Sequence, residues 1–168
     1  LETSYCLKRL VCMRFMLTLA LGLCALGSPA RADIFSIFES GHPSFNGEHE
    51  LSVTPDSDGI YYIFADVNGV STRFVIDTGS DDVVLTRKDA QRAGIDVSKL
   101  SFSEDFDAAS GSGVEADATV SKLAIGPLSA TDFPISVEAD GGASLLGMTF
   151  LRRLKSVEIR SGRLYLRW

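Results

Sequence analysis

The sequence contains few cysteines, few histidines and no excess of basic residues, and each shortage argues against a class of function. Its 168 residues include three cysteines, Cys6, Cys12 and Cys24, all near the N-terminus. The rest of the chain therefore has no disulfide framework, no cysteine zinc site and no thiol nucleophile. The two histidines, His42 and His49, do not follow a standard zinc spacing, and we expect them to be solvated. No glycine-rich phosphate loop of the P-loop or dinucleotide type is present.

The first 32 residues have the pattern of a targeting segment. Basic residues precede an apolar run at 16–26, which is short for a membrane span. Ala30-Arg31-Ala32 fits the small-x-small cleavage rule, so we predict that 1–32 is a signal peptide, with Met13 as an alternative start. We therefore expect a periplasmic or secreted protein of the cell envelope, attached to a membrane only if this segment stays uncleaved.

Cleavage would leave 136 residues with an acidic balance. The predicted leader carries four basic residues and one acidic residue, so the remainder has 12 Lys and Arg against 21 Asp and Glu, a formal charge of −9. Nucleic-acid binding needs a basic surface, and we therefore expect no nucleic-acid partner. A chain of this length fits one domain with its own core.

The composition changes near residue 60. Residues 33–59 are mixed and polar, and we interpret them as a linker or N-terminal arm with one short strand near Glu50–Val53. From there on strand patterns dominate, so 60–168 is predicted to be one all-β domain. Asn68-Gly69 is a two-residue hairpin signal, and Thr86 is expected to cap a short helix.

One stretch places a single carboxylate in a tight turn between two apolar segments. Phe74–Ile76 is typical of a buried strand, and an ionised Asp77 at its end is costly unless hydrogen-bond donors hold it. Gly79 lets the backbone approach closely enough for peptide N–H groups to point at the carboxylate. Thr78 and Ser80 add hydroxyl donors. One carboxylate can orient water, but acid and base together need two close carboxylates that share a proton.

These residues resemble a known family. Asp77-Thr78-Gly79-Ser80 between apolar strands resembles the aspartic-protease signature, and the continuation Asp81–Leu85 is similar to its retroviral branch, the retropepsins. About seventy residues later, Ser144–Leu151 resembles the apolar-apolar-Gly stretch, here Leu145-Leu146-Gly147, that precedes the retropepsin C-terminal helix. The resemblance covers about residues 60–166 and is similar to a bacterial branch of the family with a hydrophobic N-terminus.

The resemblance implies a retropepsin-like closed β-barrel of a single lobe, with a flap hairpin and one or two short helices. The flap would have its tip at 107–114, between strand patterns at 100–106 and 115–125. Its glycines and small residues would make the tip mobile, so that it can close over an extended substrate. The flap residues expected to contact substrate are Gly111, Ser112 and Gly113.

The resemblance also implies roles for the residues of the motif. Asp77 would be the catalytic residue, Thr78 would contact the backbone of a partner lobe, and Gly79 would provide room and donors. Ser80 could donate a hydrogen bond to the ionised carboxylate and favour its charged form. No metal and no other cofactor is implied.

Two further aspartates would bind substrate. By the resemblance, Asp81 would hold the substrate main chain and Asp82 would line a side-chain subsite, although both also fit solvated turn carboxylates. Retroviral members usually place an Arg directly after the glycine of the second element, and it pairs with the first aspartate. This chain has Met148 there, and Arg152 or Arg153 could take over the pairing.

One motif per chain leaves three functional hypotheses. In the first, a homodimer brings Asp77 and its symmetry mate together as an endopeptidase acting on polypeptides. In the second, the protein is a catalytically inactive binding or interaction module with the same fold. In the third, it is a metal-dependent hydrolase that uses His42 and His49. Retroviral proteases interleave their termini across the dimer, whereas this chain ends in a local hairpin pattern around Ser161-Gly162, so we expect its dimer contacts to differ.

Overall fold

The computed structural model describes residues 43–108 and 111–168. The predicted signal peptide and His42 lie outside these residues, so the signal peptide stays a prediction. In the described part of the chain, none of the helices has both the length and the apolar composition needed to cross a bilayer. The strands are β1 (Ser44–Phe45), β2 (Glu50–Val53), β3 (Tyr62–Val67), β4 (Val70–Ile76), β5 (Val84–Thr86), β6 (Glu104–Ala108), β7 (Gly111–Ile125), β8 (Leu128–Glu138), β9 (Ser144–Leu146), β10 (Ser156–Arg160) and β11 (Arg163–Arg167). The helices are α1 (Arg87–Arg92) and α2 (Met148–Leu151), and Val97–Lys99 forms a 3₁₀ turn.

The strands form two sheets. Seven strands follow the order β3-β4-β9-β5-β8-β7-β6, and an additional pairing of β3 with β7 closes this sheet into a barrel. Four strands form a smaller antiparallel sheet in the order β1-β2-β11-β10. The predicted all-β fold, a closed barrel with two short helices, is therefore confirmed.

The alternation of apolar and polar residues explains which faces are buried. In β3 the side chains of Ile63, Ala65 and Val67 are buried, whereas the residues between them are only partly buried. β4 continues the pattern with a fully buried Phe74. Successive side chains of a strand point to opposite faces, so this spacing turns one face of each strand towards the barrel core.

The turns follow the chemistry of their sequences. Asn68 and Gly69 have φ angles of 52° and 86°, the left-handed geometry that a two-residue hairpin needs, and Ser161 and Gly162 close the last hairpin in the same way. Thr86 caps α1 by accepting a hydrogen bond from the Asp89 N–H at 3.1 Å. The two predicted hairpins and the predicted helix cap are therefore present.

The folded domain begins before residue 60. β2 lies in the segment that we interpreted as a linker or arm, but it pairs with β11 along its whole length. Leu51 and Val53 are fully buried, and they belong to the same apolar core as Phe74. The short strand near Glu50–Val53 was predicted, but the boundary at 60 left it in an arm, because two apolar side chains in four residues do not reveal that the strand joins a core.

The flap hairpin has longer strands and a shorter tip than the sequence indicated. β6 and β7 pair in register from Glu104 opposite Glu115 to Ala108 opposite Gly111. Gly111, Ser112 and Gly113 therefore belong to β7 instead of a loop at 107–114, and the residues between the strands, 109–110, lie outside the described part. The strand predicted at 100–106 begins only at Glu104, since a 3₁₀ turn precedes it.

Candidate active site

Asp77 is held at the end of β4 by the backbone of its neighbours. Its N–H donates to the carbonyl of Leu146 at 3.2 Å, which ties the turn to β9. The Gly79 N–H donates to Asp77 Oδ1 at 2.8 Å, the peptide donor that the sequence led us to expect. A Cβ at Gly79 would lie 3.1 Å from the same oxygen, so a larger residue would crowd this bond. The Asp77 side chain remains partly exposed and accessible to water.

The two hydroxyl residues of the motif behave differently. Thr78 is exposed at the tip of the turn. Ser80 was expected to donate to the Asp77 carboxylate, but its Oγ donates to the carbonyl of Asp82 at 2.9 Å. The hydroxyl has a single proton, so this bond stabilises the turn and leaves Gly79 as the neighbour that donates to Asp77.

The second element supports the turn from behind. β9 lies between β4 and β5, with Leu145 opposite Val75 on one side and Val84 on the other, and Leu146 is fully buried. Gly147 follows directly. A Cβ at Gly147 would lie 2.7 Å from the Ser80 carbonyl oxygen and closer still to that of Asp82, so this position must be a glycine.

Helix α2 fastens the turn through its first two residues. The N–H of Met148 donates to the Ser80 carbonyl at 2.8 Å, and that of Thr149 donates to the Asp81 carbonyl at 2.7 Å. Thr149 Oγ1 lies 2.8 Å from both the Asp81 carbonyl and Asp82 Oδ1. Thr149 was not identified from the sequence. Its only signal was a hydroxyl residue two positions after the glycine of the second element.

Asp81 and Asp82 lie side by side on the exposed rim of the turn. Asp81 Oδ1 is 3.5 Å from Arg152 Nη2, a long contact between exposed groups that contributes little stability. It nevertheless places Arg152 beside Asp81, where the retroviral pattern has its arginine. The other candidate, Arg153, stacks over the Phe133 ring at 4.5 Å.

A row of three glutamates crosses the flap strands next to Asp82. Glu104, Glu115 and Glu138 lie directly opposite one another on β6, β7 and β8. Burial, followed by the charges of Asp82 and Glu104, raises the pKa of Glu115 above its usual range. Burial, followed by the charge of Asp140, raises the pKa of Glu138. Through the charge of Asp82, Glu115 of β7 is coupled electrostatically to the Asp77 turn.

The flap residues themselves lie at the start of β7. Gly113 is opposite Phe106 on β6, and a Cβ there would lie 2.8 Å from two atoms of the Phe106 ring. The ring therefore covers the backbone of Gly113, and a side chain at this position would require the ring to move. Ser112 is exposed. The flap strand thus combines a glycine that permits close packing with an exposed hydroxyl residue next to the tip.

A cavity of about 540 Å³ lies between β4, α1 and the segment 139–144. Val75 of β4 lines it, whereas Asp77 is not among its lining residues. Its arginines are largely engaged by neighbours: Arg73 pairs with Asp56 at 2.8 Å and Arg92 with Asp89 at 2.9 Å. This cavity therefore does not replace the Asp77 turn as the candidate site.

The metal hypothesis draws no support from the part of the chain that the structure describes. Within 43–108 and 111–168, no group of three or more His, Cys, Asp and Glu side chains is placed to hold a metal ion. His49 packs edge-on against Trp168, with ring centroids 6.3 Å apart. The other residue of this hypothesis, His42, lies outside the described residues.

Comparison with known proteins identifies the family. Residues 63–153 match the family described as "gag-polyprotein putative aspartyl protease", a stretch that includes both the Asp77 turn and the Gly147 element. The chain belongs to this family of retropepsin-like aspartic proteases.

Relatives with similar sequences and structures support this assignment. The chain is similar to a crystal structure of a retropepsin-like aspartic protease from Rickettsia conorii, with a TM-score of 0.64 and 35% identity, covering 71% of this chain and 90% of that one. It is 35% identical over 115 residues to the uncharacterized protein RP867 of Rickettsia prowazekii (strain Madrid E), covering 66% of this chain and 48% of that protein. It is 30% identical over 141 residues to an uncharacterized protein in the cobV 5' region of Sinorhizobium sp, covering 83% of this chain and 58% of that protein. The chain thus spans about half the length of these two relatives.

Proposed function

We propose that this protein is an aspartic endopeptidase that acts as a homodimer, each chain giving one catalytic Asp77. The observation that carries the proposal is a partly exposed carboxylate fixed by the Gly79 N–H at 2.8 Å, in a turn that Gly147 and α2 hold from behind. Such a group is positioned to act on water. A second carboxylate is required for the acid role, and a two-fold axis supplies it as Asp77 of a second copy.

The proposed reaction is hydrolysis without a covalent intermediate. The two carboxylates share one proton, so one is ionised and the other is protonated. The ionised one takes a proton from water as the water oxygen bonds to the scissile carbonyl carbon, and the protonated one gives its proton to the carbonyl oxygen. The C–N bond then breaks as the amine nitrogen takes a proton from one carboxylate, while a hydroxyl of the tetrahedral diol gives its proton to the other carboxylate and the C=O bond re-forms. One water is consumed, and the dyad returns with a single proton.

The surrounding residues take supporting roles in this proposal. Thr78, exposed at the tip of the turn, would contact the second copy. Asp81, next to Arg152, would hold the substrate main chain, and Asp82 would line a side-chain subsite. The flap residues Gly111, Ser112 and Gly113 would close over a polypeptide substrate that lies extended between flap and floor.

We also propose that the protein acts in the cell envelope, in the periplasm or after secretion. This rests on the predicted signal peptide at 1–32. Mass spectrometry of the N-terminus after expression in a bacterial host tests it. A chain beginning at Asp33 in the periplasmic fraction supports the proposal, and an intact N-terminus in the cytoplasm contradicts it.

The test of the activity is cleavage of a peptide library by the purified protein at mildly acid pH, with and without pepstatin. Asp77→Asn keeps the size of the side chain and an oxygen for the Gly79 N–H but removes the titrating group. We expect its activity to fall by roughly 10³-fold or more, as for other groups that act as a unit.

Asp132→Asn is the matched control, because Asp132 is exposed and its φ of 47° suits asparagine. We expect its cleavage to equal that of the wild type. Cleavage that is resistant to pepstatin, or that survives in Asp77→Asn, would contradict the proposal. A folded wild-type dimer that cleaves nothing in the library would instead favour an inactive binding module.

A further inference from the structure

The small sheet has two outer strands, β1 and β10, and β10 is the longer of the two. In the order β1-β2-β11-β10, strand β11 pairs with both β2 and β10. Among the described residues, no strand pairs with the outer edge of β10. An unpaired edge is a template for another strand unless it is short, twisted or covered. The opposite edge, β1, is only two residues long, so β10 is the better template.

In the small sheet, β11 pairs on both sides with strands of its own chain, β2 and β10. This argues against a dimer formed by the exchange of terminal strands. Leu166 of β11 lies opposite Leu51 of β2, and both side chains are buried. The Glu50 carboxylate accepts a hydrogen bond from Arg167, which lowers the pKa of Glu50. A second copy could replace β11 only by breaking these contacts. Strand β10, the longer of the two outer strands of this sheet, can accept a partner strand without the unpairing of any described strand.

The geometry of the last hairpin shows what this edge presents. The two-residue turn makes Arg160 and Arg163 the closing pair, whose N–H and C=O groups face each other. Backbone groups alternate in direction along a strand, so those of Val157 and Ile159 point away from β11. Ile159 is 64% exposed, more than any other large apolar side chain in the described residues. The edge therefore offers backbone groups and an uncovered apolar side chain.

We propose that a second copy of this chain pairs antiparallel along β10, with the two-fold axis at Ile159. An axis perpendicular to the sheet keeps each face on its own side, and the candidate centres inside β10 are Val157, Glu158 and Ile159. A centre at Val157 would place Glu158 opposite Ser156 and leave its charge without an opposite. A centre at Glu158 would oppose two like charges, which is destabilising. A centre at Ile159 places the Ile159 side chains of the two copies next to each other. It also places Glu158 of each copy opposite Arg160 of the other, which gives two pairs of opposite charge.

The charges of β10 are therefore self-complementary in one register only. Glu158 and Arg160 lie on the same face, 3.5 Å apart within one chain. Arg160 also contacts Glu50 at 3.5 Å and stacks over the Tyr165 ring, so its long side chain must turn outward from these contacts to pair with Glu158 of the second copy. The inference rests on the proposed function in one respect, which is that one Asp77 per chain needs a second copy. The edge is close in sequence to the site, because β10 begins shortly after α2, whose N–H groups hold the catalytic turn.

The first test is a disulfide formed across the axis. The protein is produced from the full chain with its three native cysteines changed to serine, and Ile159→Cys is added. Residues directly opposite in an antiparallel pair have Cα atoms about 4.5–5.5 Å apart, within disulfide range. We expect most of the protein to become a covalent dimer on mild oxidation.

Val157→Cys is the matched control. It lies on the same strand and the same face, but in the proposed register it faces the hairpin turn of the second copy. We expect it to stay monomeric on a denaturing gel. No covalent dimer with Ile159→Cys, or equal cross-linking at both positions, would overturn the inference, because a defined register cannot produce either result.

The second test exchanges the charges. Glu158→Arg opposes like charges twice across the axis, and we expect the dimer dissociation constant to rise roughly tenfold or more. The double variant Glu158→Arg/Arg160→Glu restores opposite charges and should restore the dimer in sedimentation. Circular dichroism checks folding of each variant. A folded double variant that remains monomeric, or a single variant as dimeric as the wild type, would overturn the inference.

These results separate the interface from the catalytic proposal. Cross-linking at Ile159 in a protein without peptidase activity would support the interface and contradict the proposed function. Activity in a protein that neither cross-links at Ile159 nor responds to Glu158→Arg would support the function and place the second copy elsewhere. Asp77→Asn, which alters only the carboxylate, should leave the dimer unchanged.

Discussion

Two glycines determine the geometry around Asp77, each for a different reason. Gly79 brings its N–H to 2.8 Å from the carboxylate, and its own position is already tight against Asp77 Oδ1. Gly147 lets the carbonyl groups of Ser80 and Asp82 rest directly on its backbone. Both glycines are required because of close approach, since neither has a positive φ angle. We therefore expect the Asp77 turn to be more sensitive to added volume than to the loss of a polar side chain.

We predict that Gly147→Ala destabilises the protein and impairs the turn. The added methyl group meets main-chain oxygens that cannot rotate away, and overpacking of this kind costs about 1–3 kcal/mol. Thermal or denaturant unfolding measures the loss. Gly142→Ala is the control, because a Cβ there meets nothing within 4 Å and the φ angle is not positive. Equal stability of the two variants would show that Gly147 does not support the turn in this way.

For single residues, the sequence indicated which positions form the motif, but it indicated only some of the hydrogen bonds that these residues make. Asp77 and the donor role of Gly79 followed from an apolar strand that ends in an acid and a glycine. The hydrogen bond from Ser80 to the Asp82 carbonyl and the contacts of Thr149 could not be predicted from the sequence, because they depend on where α2 packs. A hydroxyl residue has several possible partners nearby, and only the folded backbone selects one of them.

Among the strands, the row of Glu104, Glu115 and Glu138 works against stability. Each residue lies opposite the next, and like charges in such positions repel. Raised carboxyl pKa values mean that the folded chain holds its protons more tightly than the unfolded chain. Stability therefore falls as the pH rises from the ordinary carboxyl range through the raised values, and it stays lower above them.

We predict that Glu115→Gln is more stable than the wild type at neutral pH. The change removes the central charge of the row, and the gain should be on the order of 0.2–1 kcal/mol. The gain should shrink as the pH falls into the ordinary carboxyl range and below it, because Glu115 is then protonated in both the folded and the unfolded chain. Denaturant unfolding at a series of pH values measures it.

Glu48→Gln, at an exposed position outside the row, provides the comparison. We expect it to leave stability unchanged across the same pH range. If Glu115→Gln is no more stable than Glu48→Gln at pH 7, the row does not destabilise the fold.

The elements were predictable where local chemistry decides them. Hairpin turns such as Asn68-Gly69 and the Thr86 cap follow from conformational preferences of single residues. The row of glutamates could not be predicted in this way, since its members lie on three different strands and are brought together only by strand pairing. The length of the flap strands was also missed, because the glycines of 111–113 favour a loop until β6 pairs with them.

At the scale of the whole molecule, strand β2 adds to the core of the barrel. β2 joins the smaller sheet, and its Leu51 and Val53 pack with residues of the barrel. The family match begins only at residue 63, so the part of the domain that closes the smaller sheet lies outside it. The long-range pairing of β2 with β11 explains why the sequence placed the boundary too late. Local periodicity carries no information about a partner more than a hundred residues away.

We predict that Leu51→Ala destabilises the fold by about 2–5 kcal/mol, the usual cost of removing a buried leucine. Ile60→Ala is the control. Ile60 stands at the start of the domain predicted from sequence but is 39% exposed, so we expect a loss of less than about 1 kcal/mol. Unfolding in denaturant compares the two. A larger loss for Ile60→Ala would return the domain boundary to residue 60.

The most direct measurement mixes wild-type protein with Asp77→Asn at constant total concentration, after unfolding and refolding them together so that copies exchange. Two chains share one active site in this account, so a mixed dimer has a single titrating carboxylate and is inactive. Activity should then follow the square of the wild-type fraction, falling to about a quarter in an equal mixture. A linear decline, with about half of the activity left, would show that one chain suffices and would contradict the account.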